Sequence, residues 1–177
     1  MKLNAAGEAL IKSKEGLRLT AYLDMVGVPT IGWGCTKGVT HDDVTNKRTI
    51  TQDEAQAMLD SELAEFINGI PHYVTVPLNE NQFAALVSFT YNLGLGSLHN
   101  TTIQQKLNAN DMAGASDEFP KWDHAGGHEV AALTERRLAE QALFNTPVDG
   151  SNPPPDGPSD ADINVSLEDI ENEVLKK

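Results

Sequence analysis

Glu15-Gly16-Leu17-Arg18-Leu19-Thr20-Ala21-Tyr22-Leu23-Asp24, then Met25-Val26, then Gly27-Val28-Pro29-Thr30-Ile31-Gly32-Trp33-Gly34, is the stretch whose reading decides the fold. Leu17, Leu19 and Ala21 alternate with polar residues, the period of a half-buried strand. Gly27, between two short apolar pairs, marks a turn. Thr30-Ile31-Gly32-Trp33-Gly34 reads as the returning strand. A turn centred on Gly27 predicts that Asp24 and Thr30 stand directly opposite each other, with Cβ atoms about 5 Å apart on one face.

Upstream of this hairpin the pattern is helical. Asn4 is placed to cap a helix over 4–15, with Leu10 and Ile11 on its apolar side and Gly16 as its stop. Downstream, the stretch through Arg48 reads as irregular or as a further short strand. Thr51-Gln-Asp-Glu54 is a capping box, and Ala55, Met58, Leu59, Leu63, Phe66, Ile67 and Ile70 then hold one face of a long helix. Asn79 opens another helix, apolar around most of its circumference through Tyr91 and ended by Gly94 or Gly96. Such a helix is a domain's central, buried one. Shorter helices are predicted near 101–109, 111–119 and 130–145. This is an α+β plan. A small lobe of helix and hairpin joins a helical lobe through a long helix, with a cleft between the lobes.

The catalytic body is predicted to span residues 1–146. After it comes Pro147-Val-Asp-Gly-Ser-Asn-Pro-Pro-Pro-Asp-Gly-Pro158, too poor in apolar residues to offset its ordering entropy. Residues 147–177 are thus read as an acidic, Pro-rich linker and tail. Its end carries a possible short helix, with Ser166 and Asp169 as a cap and Leu167, Ile170 and Val174 at helical spacing.

Charge and cysteine usage exclude several classes. The net charge is −13, of which −6 falls in residues 146–177. Phosphate binding needs clustered Lys and Arg, so nucleic acid is not expected as a partner. Cys35 is the single cysteine, which leaves no internal disulfide. The five histidines are scattered, and neither a metal nor an organic cofactor is expected. No run approaches the roughly 18 apolar residues of a membrane span. No secretory apolar block stands at the N-terminus, so cytosolic synthesis without signal-peptide export is expected.

Three residues suit chemistry. Glu15 sits at the C-terminal end of its helix, where the dipole is negative. Apolar neighbours such as Leu17 or Leu19 would disfavour its charge as well, and both effects raise a carboxyl pKa, as a general acid requires. A carboxylate at Asp24 and a hydroxyl at Thr30 could hold one water between them. Paired carboxyls around a glycosidic bond are the usual means of hydrolysing it. Each residue also has an ordinary reading: a solvated helix-end Glu, a turn Asp, a strand-forming Thr.

The stretch 15–34 resembles the signature of phage-type lysozymes, glycoside hydrolase family 24. The resemblance extends over about residues 5–145, through Ile50-Thr-Gln-Asp-Glu-Ala55, Pro77-Leu-Asn-Glu-Asn-Gln-Phe-Ala-Ala-Leu86, Ser88-Phe-Thr-Tyr-Asn-Leu-Gly94, Trp122 with Ala125-Gly-Gly127, and Glu135-Arg-Arg-Leu-Ala-Glu140. It implies a lysozyme-like fold and hydrolysis of the β-1,4 bond between N-acetylmuramic acid and N-acetylglucosamine in peptidoglycan, for lysis of a host cell. It implies Glu15 as general acid, Asp24 as the group that positions or activates water, and Thr30 as the holder of that water, with inversion at the anomeric carbon. Thr36, Tyr91, Asn92 and Thr102 match glycan contacts; packing and helix capping are equally open for Tyr91 and Asn92. A monomer is expected, made in the host cytoplasm and acting on the wall after a partner such as a holin permeabilises the membrane. The rival readings are a lytic transglycosylase and a non-catalytic peptidoglycan-binding module. Cys35 stands where many relatives have His, a departure expected to leave activity intact.

Overall fold

A computed structural model describes residues 1–148. Apart from Pro147 and Val148, the tail and its predicted helix lie outside the described residues. The fold has the expected α+β character. Helix α1 (Ala5–Glu15) begins at Asn4, whose side chain accepts a hydrogen bond from the Gly7 amide, and ends at Gly16. Strands β1 (Arg18–Leu23) and β2 (Pro29–Gly32) form an antiparallel pair. Helix α3 (Gln52–Gly69) and helix α4 (Glu80–Leu93) start with complete capping boxes, at Thr51/Glu54 and Asn79/Gln82. Gly94 ends α4, and α5 (Thr102–Asn108), α6 (Met112–Ser116) and α7 (Ala131–Asn145) complete the large lobe.

Two segments differ from expectation. His41–Thr45 forms a short helix, α2, where an irregular segment or strand was predicted. Its cause is local: the Thr40 hydroxyl accepts from the Asp43 amide while the Asp43 carboxylate accepts from the Thr40 amide. Strand character survives only as single bridges, from Thr20 to Thr49 and from Ile31 to Cys35. In the second segment, His124–Ala125 and His128–Glu129 form a small hairpin, β3 and β4, around Gly126-Gly127.

The hairpin register also needs correction. Thr30 pairs with Tyr22, and Leu23 with Pro29. The Asp24 amide donates to the Val28 carbonyl at 3.0 Å, so Asp24 faces Val28 rather than Thr30. The turn is a three-residue one, Met25-Val26-Gly27. The Gly27 amide closes it on the Asp24 carbonyl, and Gly27 sits at φ 85°. That is the turn-plus-left-handed-residue connection, which needs glycine at its last position. Asp24 and Thr30 therefore share a face but stand diagonally, about 7–8 Å apart rather than 5.

The chain buries two cores. The larger gathers Ile11, Leu59, Leu63, Phe83, Leu86, Phe89, Leu98, Ile103, Phe119 and Phe144. Residues Phe83–Thr90 of α4 are all buried, as expected of a central helix. Each such Leu or Phe contributes about 1.5–3 kcal/mol by leaving water. The smaller core holds Ala21, Ile31, Ile50 and Ala55 under the hairpin. Helix α1 leads into the hairpin, yet Ile11 belongs to the larger core and α1 packs on α4 and α7. The helix belonging wholly to the small lobe is α2. Helix α3 links the lobes: Ala55 serves the small core, Leu59 and Leu63 the large one, and Met58 packs against both.

Candidate active site

Glu15 is the last residue of α1, and Gly16 turns the chain away at φ 71°. The carboxylate therefore projects beyond the helix end, with its side chain about one-fifth exposed. Arg136 of α7 donates from Nη1 to Glu15 Oε1 at 2.7 Å. Across the site, Gly34 lies so close that a side chain there would put a Cβ 2.9 Å from Glu15 Oε2. Gly34 also has φ 80°, so both space and backbone favour glycine. The apolar setting expected from Leu17 and Leu19 is absent, since both are at least partly exposed; the main neighbour of Glu15 is a cation.

Arg136 is itself held. Its Nε reaches Glu140 Oε1 at 3.2 Å, and its Nη2 donates to the Ser88 carbonyl at 3.3 Å. Glu140 is fully buried and accepts from the Ser88 hydroxyl at 2.7 Å. Arg137 donates from Nη2 to Glu140 Oε1 at 3.2 Å, and its Nε lies 3.0 Å from the second oxygen of Glu140. Burial pushes the Glu140 carboxyl above its ordinary range, opposed by Arg137, Ser88 and Arg136. Burial likewise pushes Arg137 down to about 10. The cluster of Glu15, Arg136, Glu140 and Arg137 is electrically balanced, two charges of each sign. Its members come from the end of α1 and from one face of α7.

Asp24 is occupied by its own turn. Its Oδ1 accepts from the amides of Val26 at 3.0 Å and Val28 at 2.7 Å. These bonds fix the carboxylate and leave Oδ2 without a hydrogen-bond partner among the described residues. Thr30 is buried, and its hydroxyl donates to the Val28 carbonyl at 2.9 Å. With its proton so directed, the Thr30 oxygen keeps its lone pairs available to accept. Val28 is thus the shared anchor of both side chains.

The other predicted contacts are Tyr91, Asn92, Thr36 and Thr102. Tyr91, half-buried on α4, donates from its hydroxyl to the Trp33 carbonyl at 3.1 Å and lies 3.3 Å from Glu62 Oε2. Burial, then Cys35, Glu62 and Glu15, raise its phenol well above the ordinary value, so it remains a neutral donor. Asn92 is exposed, and its Oδ1 accepts from Arg137 Nη2 at 2.9 Å. Thr36 is exposed, and its amide donates to Glu62 Oε1 at 2.9 Å. Thr102 is exposed at the first turn of α5 and has no hydrogen bond to the other site residues among the described residues. Cys35 is fully buried in the larger core; burial and Glu62 push its thiol up to about 11.

Two participants were missed from sequence. Arg136 stands 121 positions from Glu15, and only the paired Arg136-Arg137 beside Glu140 hinted at it. Glu62 lies on the polar side of the α3 pattern, where nothing marks it out. Among the described residues, no cluster of three or more His, Cys, Asp or Glu could hold a metal, and no helix is long and apolar enough to cross a membrane.

A helix-end carboxylate backed by arginine, a hairpin carboxylate and hydroxyl, and two lobes bridged by one helix define the lysozyme-like class. Comparison with known proteins gives the family. The phage lysozyme family matches residues 12–140. The endolysin of Salmonella phage P22 is 37% identical over 144 residues, covering 81% of this chain and 98% of that protein. The endolysin of Bacillus phage PZA is 40% identical over 151 residues, 82% of this chain and 56% of that protein. The chain spans about half the length of the Bacillus phage relatives it matches. Among solved structures, the muramidase domain of SpmX from Asticaccaulis excentricus superposes with a TM-score of 0.74 at 32% identity, covering 82% of this chain and 99% of that one. This chain belongs to the phage lysozyme family.

Proposed function

We propose that this chain is an endolysin that hydrolyses the β-1,4 bond between N-acetylmuramic acid and N-acetylglucosamine in bacterial peptidoglycan. The carrying observation is the Glu15 carboxylate, projected from the end of α1 with Oε1 held by Arg136. With Glu15 in its protonated form, Oε2 is the atom that delivers the proton to the glycosidic oxygen as the bond to the anomeric carbon breaks, leaving the carboxylate held by Arg136. Water held between Thr30 and Asp24 attacks that carbon, and its proton passes to the Asp24 carboxylate. The diagonal placement of Asp24 and Thr30 on one face, with Cβ atoms under about 8 Å apart, leaves room for one bridging water. A water-using reaction is favoured over a transglycosylase by this pair, and over a non-catalytic module by Glu15.

Thr36, Tyr91, Asn92 and Thr102 contact the bound glycan. The enzyme works as a monomer, is made in the host cytoplasm, and reaches the wall after a holin-like partner opens the membrane. No nucleic acid takes part. Digestion of purified sacculi, with the released muropeptides identified by mass, tests the reading. Reducing-end products from the wild type, and a loss of about 10²–10⁴-fold in Glu15→Gln, are expected. Anhydro products would establish the transglycosylase; undigested sacculi would leave only the binding module.

A further inference from the structure

We propose that Glu62 is a positioning residue for the cleft, holding Thr36 and Tyr91 in place to receive the glycan; this rests on the function proposed above. The carboxylate reaches two parts of the chain that are otherwise joined by the Tyr91 hydrogen bond to the Trp33 carbonyl. Oε1 accepts from the backbone amides of Thr36 at 2.9 Å and Lys37 at 2.8 Å. Oε2 lies 3.3 Å from the Tyr91 hydroxyl. The first two donors belong to the turn after the hairpin, and the third belongs to the central helix of the large lobe.

Such an arrangement has a specific chemical logic. Thr36 and Lys37 offer adjacent amides, and only an acceptor with free lone pairs can serve both at once. An ionised carboxylate does this more strongly than a neutral group. Tyr91 already gives its single proton to the Trp33 carbonyl at 3.1 Å, so its longer contact with Glu62 is a shared one that fixes the ring's direction. Glu62 is borne by α3, the helix that packs into both cores, and is only partly exposed. A rigid element thereby sets the separation between a small-lobe turn and a large-lobe ring. Neither contact involves Glu15, Asp24 or Thr30, so Glu62 acts on substrate binding and not on the bond-breaking step.

The test is a kinetic comparison of wild type, Glu62→Gln and Glu62→Ala on a soluble peptidoglycan oligomer, with melting temperature measured alongside. Glu62→Ala should raise KM about tenfold with kcat within about threefold, the loss of hydrogen bonds to a charged acceptor. Glu62→Gln, which keeps one carbonyl oxygen for the two amides, should fall between. Adding Tyr91→Phe to Glu62→Ala should cost less than the product of the two single effects. A purely structural role would lower the melting temperature and the active fraction, and so kcat, without moving KM. The inference is overturned if KM stays within twofold in Glu62→Ala while the wild type digests the oligomer. A wild type that does not digest it would instead overturn the function on which the inference rests.

Discussion

Replacing Arg136 with alanine should damage stability and activity together, through different bonds. The side chain is buried, with three donors committed: Nη1 to Glu15 at 2.7 Å, Nε to Glu140 at 3.2 Å and Nη2 to the Ser88 carbonyl at 3.3 Å. Removing it turns a balanced group of four charges into one with a surplus negative charge, beside the fully buried Glu140. Breaking a buried ion pair by deleting one partner costs about 3–5 kcal/mol. At about 2–4 °C per kcal/mol for a chain of this size, the melting temperature should fall by about 12 °C. Glu15 would lose the bond that fixes Oε1, and misplacement of a reacting group by about 1 Å can cost on the order of 10²-fold in rate. Calorimetry and single-substrate kinetics on the pure variant read both numbers. Arg136→Lys keeps the charge but cannot reach both carboxylates with a planar fork, so it should recover part of the stability and less of the rate. The reasoning fails if Arg136→Ala melts within about 2 °C of the wild type, against the loss expected from breaking a buried pair.

Asp24→Asn should lower kcat while preserving the fold, because an amide oxygen can still accept from the Val26 and Val28 amides but cannot take a proton from water; a crystal structure of the variant with an unchanged turn, together with the rate, checks both halves. Thr30→Ala should lower kcat less, and should leave Asp24 in place. Cys35 should resist thiol reagents in the native enzyme at pH 8, since the thiolate is the reactive form and burial holds the thiol up to about 11; labelling as fast as in the denatured chain would contradict this. Glu118 is held below its ordinary range by Lys106 first and then Lys121, at 2.7 and 2.8 Å. A carboxyl lowered on folding adds stability above its unfolded pKa, about 4.3, and loses it as pH falls through the folded value. Glu118→Gln should therefore melt lower than the wild type at pH 7, with the gap closing below about pH 4.

Much of this molecule is written locally. Asn4, Thr51 and Asn79 each announce a helix by a side-chain oxygen that meets an amide three residues on, and the structure starts all three helices there. Thr40 and Asp43 carry the same signal for α2, overlooked because five residues with one apolar side chain show no helical face. The hairpin was legible as a hairpin, but its register was not. Placing the turn by its glycine assumes that glycine is the centre, whereas here Gly27 is the last loop residue and the Asp24 side chain closes the loop. What stayed hidden is what joins distant positions. Nothing in the alternation of residues 17–34 says that Glu15 will meet Arg136, or that the amides after Cys35 will meet Glu62.

The buried charges of α7 are hard to justify by stability alone. Taking Arg137 and Glu140 out of water costs several kcal/mol per ion, and well-packed apolar replacements of such groups are often neutral or stabilising. Position offers a better account. Glu140 holds the Nε edge of Arg136, the Ser88 carbonyl holds Nη2, and Arg137 balances Glu140 while donating to Asn92 at the end of the central helix. With Nε and Nη2 so fixed, the guanidinium presents its remaining nitrogen, Nη1, toward Glu15. A lone arginine reaching Glu15 from the surface would supply the same charge with several rotatable bonds of freedom, and would shed water each time it bound. Built into the α4–α7 core, it confines the Glu15 carboxylate to one orientation, with Oε1 against Arg136 and Oε2 facing Gly34. On this argument the core of the large lobe is also the outer support of the proposed active site, which is why a single substitution at Arg136 is expected to register in both melting temperature and rate.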